Sequence, residues 1–206
     1  MIDSMIFDVD GTIWDTTPVV APAWNKALDE CGCEAYHVTS DDLKQLFGKP
    51  MEEIISRILY DKSDEIRHKF KDLCYKYEEI AVGEKGGALY PNMAETLESL
   101  SKKYKLYIVS NCQSGYIELM LKKTGFGQYF SDHACYGDKG ILKAENIKLI
   151  VERNSLENPV YIGDTQGDAD ASKKAGVKFV HASYGFGKVS EADFVIHDVS
   201  ELISLE

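Results

Sequence analysis

Apolar residues along the chain come in two rhythms. Short unbroken runs recur at MIFDV (5–9), KLYIVS (105–110), HACY (133–136), PVYIGD (159–164), VKFVHA (177–182) and DFVIH (193–197). Most are continuously apolar rather than alternating, which is how strands covered on both faces read. Helical repeats lie between most of them. Met93, Ala94, Leu97 and Leu100 follow Pro91-Asn92, a plausible helix start. Ile117, Met120 and Leu121 run up to Gly125, a C-cap. Ile147, Ile150 and Val151 share one face, and the run 169–175 stops at Gly176. Strands alternating with helices predict an α/β domain built on a mostly parallel sheet.

The stretch 16–87 breaks this alternation and holds no convincing strand. Leu43, Leu46 and Phe47 follow Ser40, which suits an N-cap. Met51, Ile54, Ile55, Ile58 and Leu59 recur at helical spacing. After Ser63, the residues Ile66, Phe70, Leu73, Tyr77 and Ile80 trace a third amphipathic helix. Gly83-Glu84-Lys85-Gly86-Gly87 reads as a flexible joint. The organisation expected is therefore an α/β core from 1–15 and 88–206, with an inserted helical cap over 16–87.

Composition narrows the class. With 206 residues, 44% of them hydrophobic and 28% charged, the chain can bury a substantial core and is unlike a disordered protein. A net charge of −11 argues against nucleic-acid polymers, whose binding needs Lys and Arg to neutralise phosphates. A small phosphorylated ligand remains compatible if a metal or a few placed cations offset the local charge. The five cysteines show no zinc-ribbon spacing and read as reduced thiols; the histidines fall at no ligand spacing. No apolar stretch reaches the ~17 residues that span a bilayer, and the start resembles no signal peptide. A soluble, cytoplasmic protein is expected.

The chemistry gathers where the apolar runs end, the edge at which open parallel sheets bind ligands. Asp8, Asp10, Gly11 and Thr12 follow the first run, Ser110 and Asn111 the second, and Asp164, Thr165 and Asp168 the fourth. Lys143 opens a helical pattern nearby. Each piece alone has an ordinary structural explanation: a turn, a solvated lysine, a helix cap with first-turn acids. Their order along the chain favours a shared site. Four crowded carboxylates repel unless a divalent cation sits among them, and an all-oxygen set suits Mg²⁺. Asp8 could then act as a nucleophile, Asp10 as general acid and base, and Ser110, Asn111 and Lys143 as ligands of a phosphoryl group.

DVDGT, Ser110-Asn111, Lys143 and GDTQGD, in this order, resemble the four motifs of the haloacid dehalogenase superfamily, and the resemblance spans essentially the whole chain. It implies a Rossmann-like core, and the helical insert is similar to the type 1 cap of phosphoglycolate phosphatase and β-phosphoglucomutase relatives. Carried over, Asp8 would form an aspartyl-phosphate and Asp10 would be the acid/base. Mg²⁺ would be held by the Asp8 carboxylate, the Asp10 carbonyl and Asp164, with Asp168 acting through water or by orienting Lys143. Thr12 joins Ser110 and Asn111 as a candidate for substrate binding. Lys49, in a Gly-Lys-Pro loop where relatives carry a specificity loop, could meet an anionic substrate. The third motif lacks the prolines common after its lysine, so Lys139 competes with Lys143. Trp14 stands where a leucine-like residue is commoner and is read mainly as core. Tyr184-Gly185-Phe186-Gly187 reads as a tight turn beside the site.

Dehalogenating members lack the second aspartate, because halide leaves unprotonated; Asp10 therefore favours phosphoryl chemistry. The expected function is Mg²⁺-dependent hydrolysis of a small phosphorylated metabolite, by a monomer or weak dimer. A phosphomutase would use the same residues. A phospho-acceptor signalling module would need neither Asp10 nor the insert.

Overall fold

A computed structural model of the chain describes residues 2–205. The strands are β1 (Ser4–Phe7), β2 (Trp14–Asp15), β3 (Ala88–Leu89), β4 (Lys105–Ser110), β5 (Phe130–Cys135), β6 (Pro159–Gly163), β7 (Lys178–Ala182) and β8 (Phe194–Ile196). Six of them form one sheet in the order β5-β4-β1-β6-β7-β8, and every pairing in it is parallel. Strand β1 is buried along its whole length, with Met5 and Phe7 facing one layer of the core and Ile6 the other. That two-sided burial explains why the run does not alternate in polarity.

The helices are α1 (Thr17–Glu30), α2 (Ser40–Leu46), α3 (Met51–Ile58), α4 (Asp64–Lys85), α5 (Met93–Ser101), α6 (Tyr116–Thr124), α7 (Tyr136–Lys139), α8 (Lys143–Arg153) and α9 (Gln166–Ala175). Helices α8 and α9 cover the Ile6 face, where Ala144, Ile147, Ile150 and Ala171 meet Tyr107, Tyr161 and Phe179. The first four helices all lie between β2 and β3, which pair antiparallel through Trp14 with Leu89 and Asp15 with Ala88. These two short strands were not apparent in the sequence, since two residues carry no period.

Other details of the insert depart from expectation. Thr39, not Ser40, caps α2: its hydroxyl accepts from the Asp42 amide while the Asp42 carboxylate accepts from the Thr39 amide. Two end groups are thereby satisfied reciprocally, which a lone serine cap cannot do. The expected joint at 83–87 is mostly helix, because α4 runs through Gly83 to Lys85 and stops only where Gly86 turns left-handed at φ 72°. Ile80 does not join the core stripe and is 49% exposed; the buried face passes from Tyr77 and Glu78 to Val82. Helix α1, whose Trp24, Ala27 and Leu28 are buried, packs most extensively on α4. Among the described residues no helix is long and apolar enough to cross a membrane.

Candidate active site

Parallel pairing of β1 with β4 and β6 sets Phe7 level with Ile108 and Ile162, so the three strands end within two residues of one another. Asp8 and Asp164 follow the ends of β1 and β6, and Ser110, the last residue of β4, lies at the same edge. The chain first builds outward from β1 through β4 to β5, then crosses back to add β6 on the other side of β1. This reversal opens the crevice in which open α/β sheets bind ligands.

Carboxylate oxygens of Asp8, Asp164 and Asp168 all lie within 4.8 Å of one another, and all three side chains are buried. The Lys143 ammonium, 3% exposed, sits against them, 2.9 Å from Asp8 Oδ1 and 2.5 Å from Asp168 Oδ1. Burial opposes the charge of Lys143, but Asp168 and Asp8 outweigh it and hold the ammonium above its ordinary range. Burial pushes Asp164 well up, and the charges of Asp168 and Asp8 push it further. Asp8 is raised by burial to about 6, against the pull of Lys143. One ammonium cannot balance three buried carboxylates, so the cluster fits a divalent oxygen-ligated cation.

Asp168 explains why the GDTQGD segment also reads as a helix cap. Its Oδ2 accepts from the Thr165 amide at 2.9 Å and the Asp164 amide at 3.2 Å, while Thr165 caps α9. Its Oδ1 holds Lys143. The same carboxylate thus fixes the start of α9 and the position of the lysine. Lys139 is exposed at the end of α7, away from this cluster.

Asp10 is supported quite differently. Its Oδ1 accepts from Tyr116 Oη at 2.8 Å and from Thr16 Oγ1 at 2.9 Å, and its side chain lines a cavity shared with Asp8, Ser110 and the insert. Among the described residues no protein donor reaches its Oδ2. Burial raises Asp10 to about 7; the Tyr116 and Thr16 hydrogen bonds pull the other way, and the charge of Asp8 adds to the rise. The Asp10 carboxylate lies outside the three-carboxylate group, so its side chain is not placed as a metal ligand.

The remaining sequence-derived candidates divide between the cavity and the core. Thr12 is fully buried with its hydroxyl 3.5 Å from Asp164 Oδ1, and it does not line the cavity. Asn111 lines the cavity, but its Nδ2 donates to the Gly48 carbonyl at 2.8 Å and so ties the rim to the insert loop. Lys49, half-buried in that loop, faces the cavity with Ser110. Trp14 is buried core, edge-on to Tyr116.

The segment 184–187 does more than turn the chain. The Phe186 amide donates to Asp164 Oδ2 at 2.7 Å, and Tyr184 Oη donates to the Thr12 carbonyl at 3.0 Å. A Cβ on Gly185 would stand 2.2 Å from the Gly11 carbonyl oxygen and 2.4 Å from Asp164 Cβ. Gly11 itself needs φ +85° and brings its Cα against the Asp164 carboxylate. Gly185→Ala is therefore expected to destabilise the fold by about 1–3 kcal/mol through overpacking. Urea unfolding with an unchanged slope would register that loss, and an unchanged midpoint would contradict the packing described.

Fold and site together define an α/β enzyme with an acidic, cation-seeking centre at the C-terminal rim of a parallel sheet. The chain belongs to the haloacid dehalogenase-like hydrolases, whose family model matches residues 5–182. It is 29% identical over 210 residues to a phosphoglycolate phosphatase of Aquifex aeolicus, covering 98% of this chain and 95% of that protein. It is 26% identical over 214 residues to a pyrophosphatase of Bacillus velezensis, covering 99% and 96%. A crystal structure of a haloacid dehalogenase-like hydrolase from Bacteroides fragilis superposes with a TM-score of 0.87 at 23% identity, covering 98% of this chain and all of that one.

Proposed function

We propose that the protein is a Mg²⁺-dependent phosphatase of small phosphate monoesters that works through an aspartyl-phosphate on Asp8. The observation that carries this reading is the contrast between two aspartates two residues apart. Asp8 is set among a lysine and two further carboxylates, a place for a metal-stabilised anion. Asp10 lines the cavity with one oxygen fixed by two hydroxyls and the other without a protein donor among the described residues, a place for a carboxyl that trades a proton. Two carboxylates two residues apart in such different surroundings can divide the roles of nucleophile and acid/base between them.

In this scheme Asp8 attacks phosphorus, the ester oxygen departs with a proton from Asp10, and Asp10 then takes a proton from the water that cleaves the acyl phosphate. Lys143 and Ser110 hold the non-bridging oxygens as charge develops on them. Lys49 approaches the same group from the insert, which would act as a cap over 16–87. Mg²⁺, held by Asp8, Asp164 and the Asp10 carbonyl, would neutralise charge on the transferring group. Asp168 would position Lys143 rather than touch substrate.

Two experiments test this reading. The first measures phosphate release from a panel of monoesters: Mg²⁺ should support it, EDTA should abolish it and added Mg²⁺ restore it. Release that survives EDTA would sink the metal assignment. The second follows pH. Because Asp8, raised to about 6, binds its proton more tightly in the metal-free fold than in the unfolded chain, its ionisation costs stability as pH rises through about 6, and Asp164 is shifted in the same direction. Mg²⁺ binds the ionised forms, so its affinity is expected to rise with pH, by up to about tenfold per pH unit for each proton displaced. Calorimetric titration between pH 5 and 8 measures this, and a pH-independent affinity would contradict it.

A further inference from the structure

The scheme above leaves one buried acid unused. Glu78 lies on the core face of α4 among Phe70, Cys74, Tyr77 and Val82 and is 5% exposed. A carboxylate at such a position is disfavoured unless something needs it there. Each of its oxygens takes one protein donor, Trp24 Nε1 to Oε2 at 2.9 Å and Gln113 Nε2 to Oε1 at 3.0 Å. A carboxylate offers about four acceptor sites, so two remain. Glu78 lines the cavity that also holds Asp8 and Asp10.

A second, independent acceptor lines the same cavity. Asn111 Oδ1 is buried and without a partner among the described residues, since Nδ2 is engaged by Gly48. Around them the insert supplies apolar walls from Trp24, Phe47, Met51 and Ile54, and among the described residues the only cationic side chain lining the cavity is that of Lys49. The free space is small, about 50 Å³. The organic end of the site is thus narrow and apolar-walled, with one acceptor that lacks a donor, Asn111 Oδ1, beside a carboxylate with spare acceptor capacity.

We infer that Glu78 selects the leaving group: the cavity takes short phosphate monoesters whose organic part ends in a hydrogen-bond donor, a hydroxyl or an ammonium, and rejects those ending in a carboxylate. The inference rests on the phosphatase reading and adds the substrate class to it. A donor would fill the open acceptor sites of Glu78 and Asn111. A carboxylate would meet like charge in a desolvated space, a repulsion worth far more there than in water. Lys49 offers no relief, because the phosphoryl dianion competes for it. On this account the chain differs in substrate from relatives named phosphoglycolate phosphatase, since glycolate carries a carboxylate where Glu78 stands.

A matched two-carbon series tests it: 2-hydroxyethyl phosphate, 2-aminoethyl phosphate and 2-phosphoglycolate, with p-nitrophenyl phosphate reporting phosphoryl transfer itself. For the wild type, kcat/KM on the hydroxyl or ammonium ester should exceed that on phosphoglycolate by at least about tenfold. In Glu78→Gln, which still offers Trp24 an acceptor, that ratio should shrink to within about threefold, with phosphoglycolate gaining in absolute rate. A wild type that prefers phosphoglycolate overturns the inference, as does a ratio that the substitution leaves unmoved. The wild-type ranking decides even if the variant does not fold. Turnover of the nitrophenyl ester alone overturns this inference while sparing the phosphatase reading; no turnover of any ester with Mg²⁺ overturns both.

Discussion

Asp8→Asn is expected to reduce phosphate release from every monoester by at least ~10⁴-fold, because a carboxamide neither attacks phosphorus nor contributes an ionised ligand. The loss should appear in kcat rather than KM, since Ser110, Lys49 and the cavity walls are untouched. The substitution also removes one partner of Lys143, but Asp168 Oδ1 stays 2.5 Å from the ammonium, so the lysine keeps a buried counter-charge. Unfolding of the variant should therefore remain cooperative, and steady-state assays beside a thermal melt separate lost chemistry from lost fold. A variant retaining even a tenth of wild-type turnover would remove Asp8 from the role given to it.

Asp10→Asn is expected to produce a loss that depends on the leaving group. Asparagine can still accept from Tyr116 and Thr16, so the side chain keeps its place, but it carries no proton to give. General acid/base catalysis by one group contributes about 10²–10⁴-fold. Phosphorylation of Asp8 by an alkyl monoester should suffer this in full, because an alkoxide leaves poorly without a proton. With p-nitrophenyl phosphate the leaving group needs little help, so Asp8 should load quickly and then release phosphate slowly, for want of a base to activate water. Rapid-quench kinetics would show a burst of nitrophenol of about one per enzyme followed by a slow phase. Equal losses on both esters, with no burst, would argue that Asp10 is structural.

How far the sequence carried this account depends on what each residue signals. Strand and helix order was legible because two-sided burial writes unbroken apolar runs, and β1, β4, β6 and β7 carry them. Asp8, Asp164 and Lys143 each read alone as a turn, a cap or a solvated lysine, and it is their order along the chain, at strand ends and a helix start, that pointed to one site. The groups that orient Asp10 were not: Thr16 and Tyr116 stand 100 residues apart and meet only through the packing of α6 near the strand edge. Glu78 was hidden within a heptad-like stripe, where its neighbours invite a reading as core or solvated face alike. The segment 184–187 looked like turn chemistry, and only the approach of Gly185 to Gly11 and Asp164 gives its glycines a second reason. Thr12 and Asn111 sit in the right motifs, yet one turns to Asp164 and the other to Gly48, choices made by hydrogen-bond geometry rather than by residue type.

The central claim is that phosphoryl transfer passes through Asp8, and the covalent species itself is the most direct evidence. Wild type and Asp10→Asn, incubated with Mg²⁺ and p-nitrophenyl phosphate, quenched in acid and digested, can be read by peptide mass spectrometry. The account predicts one phosphoryl group on the peptide containing Asp8, accumulating in Asp10→Asn, removed by hydroxylamine as an acyl phosphate must be, and absent from Asp8→Asn. Turnover with no adduct on that peptide, or with the adduct on another residue, would contradict it.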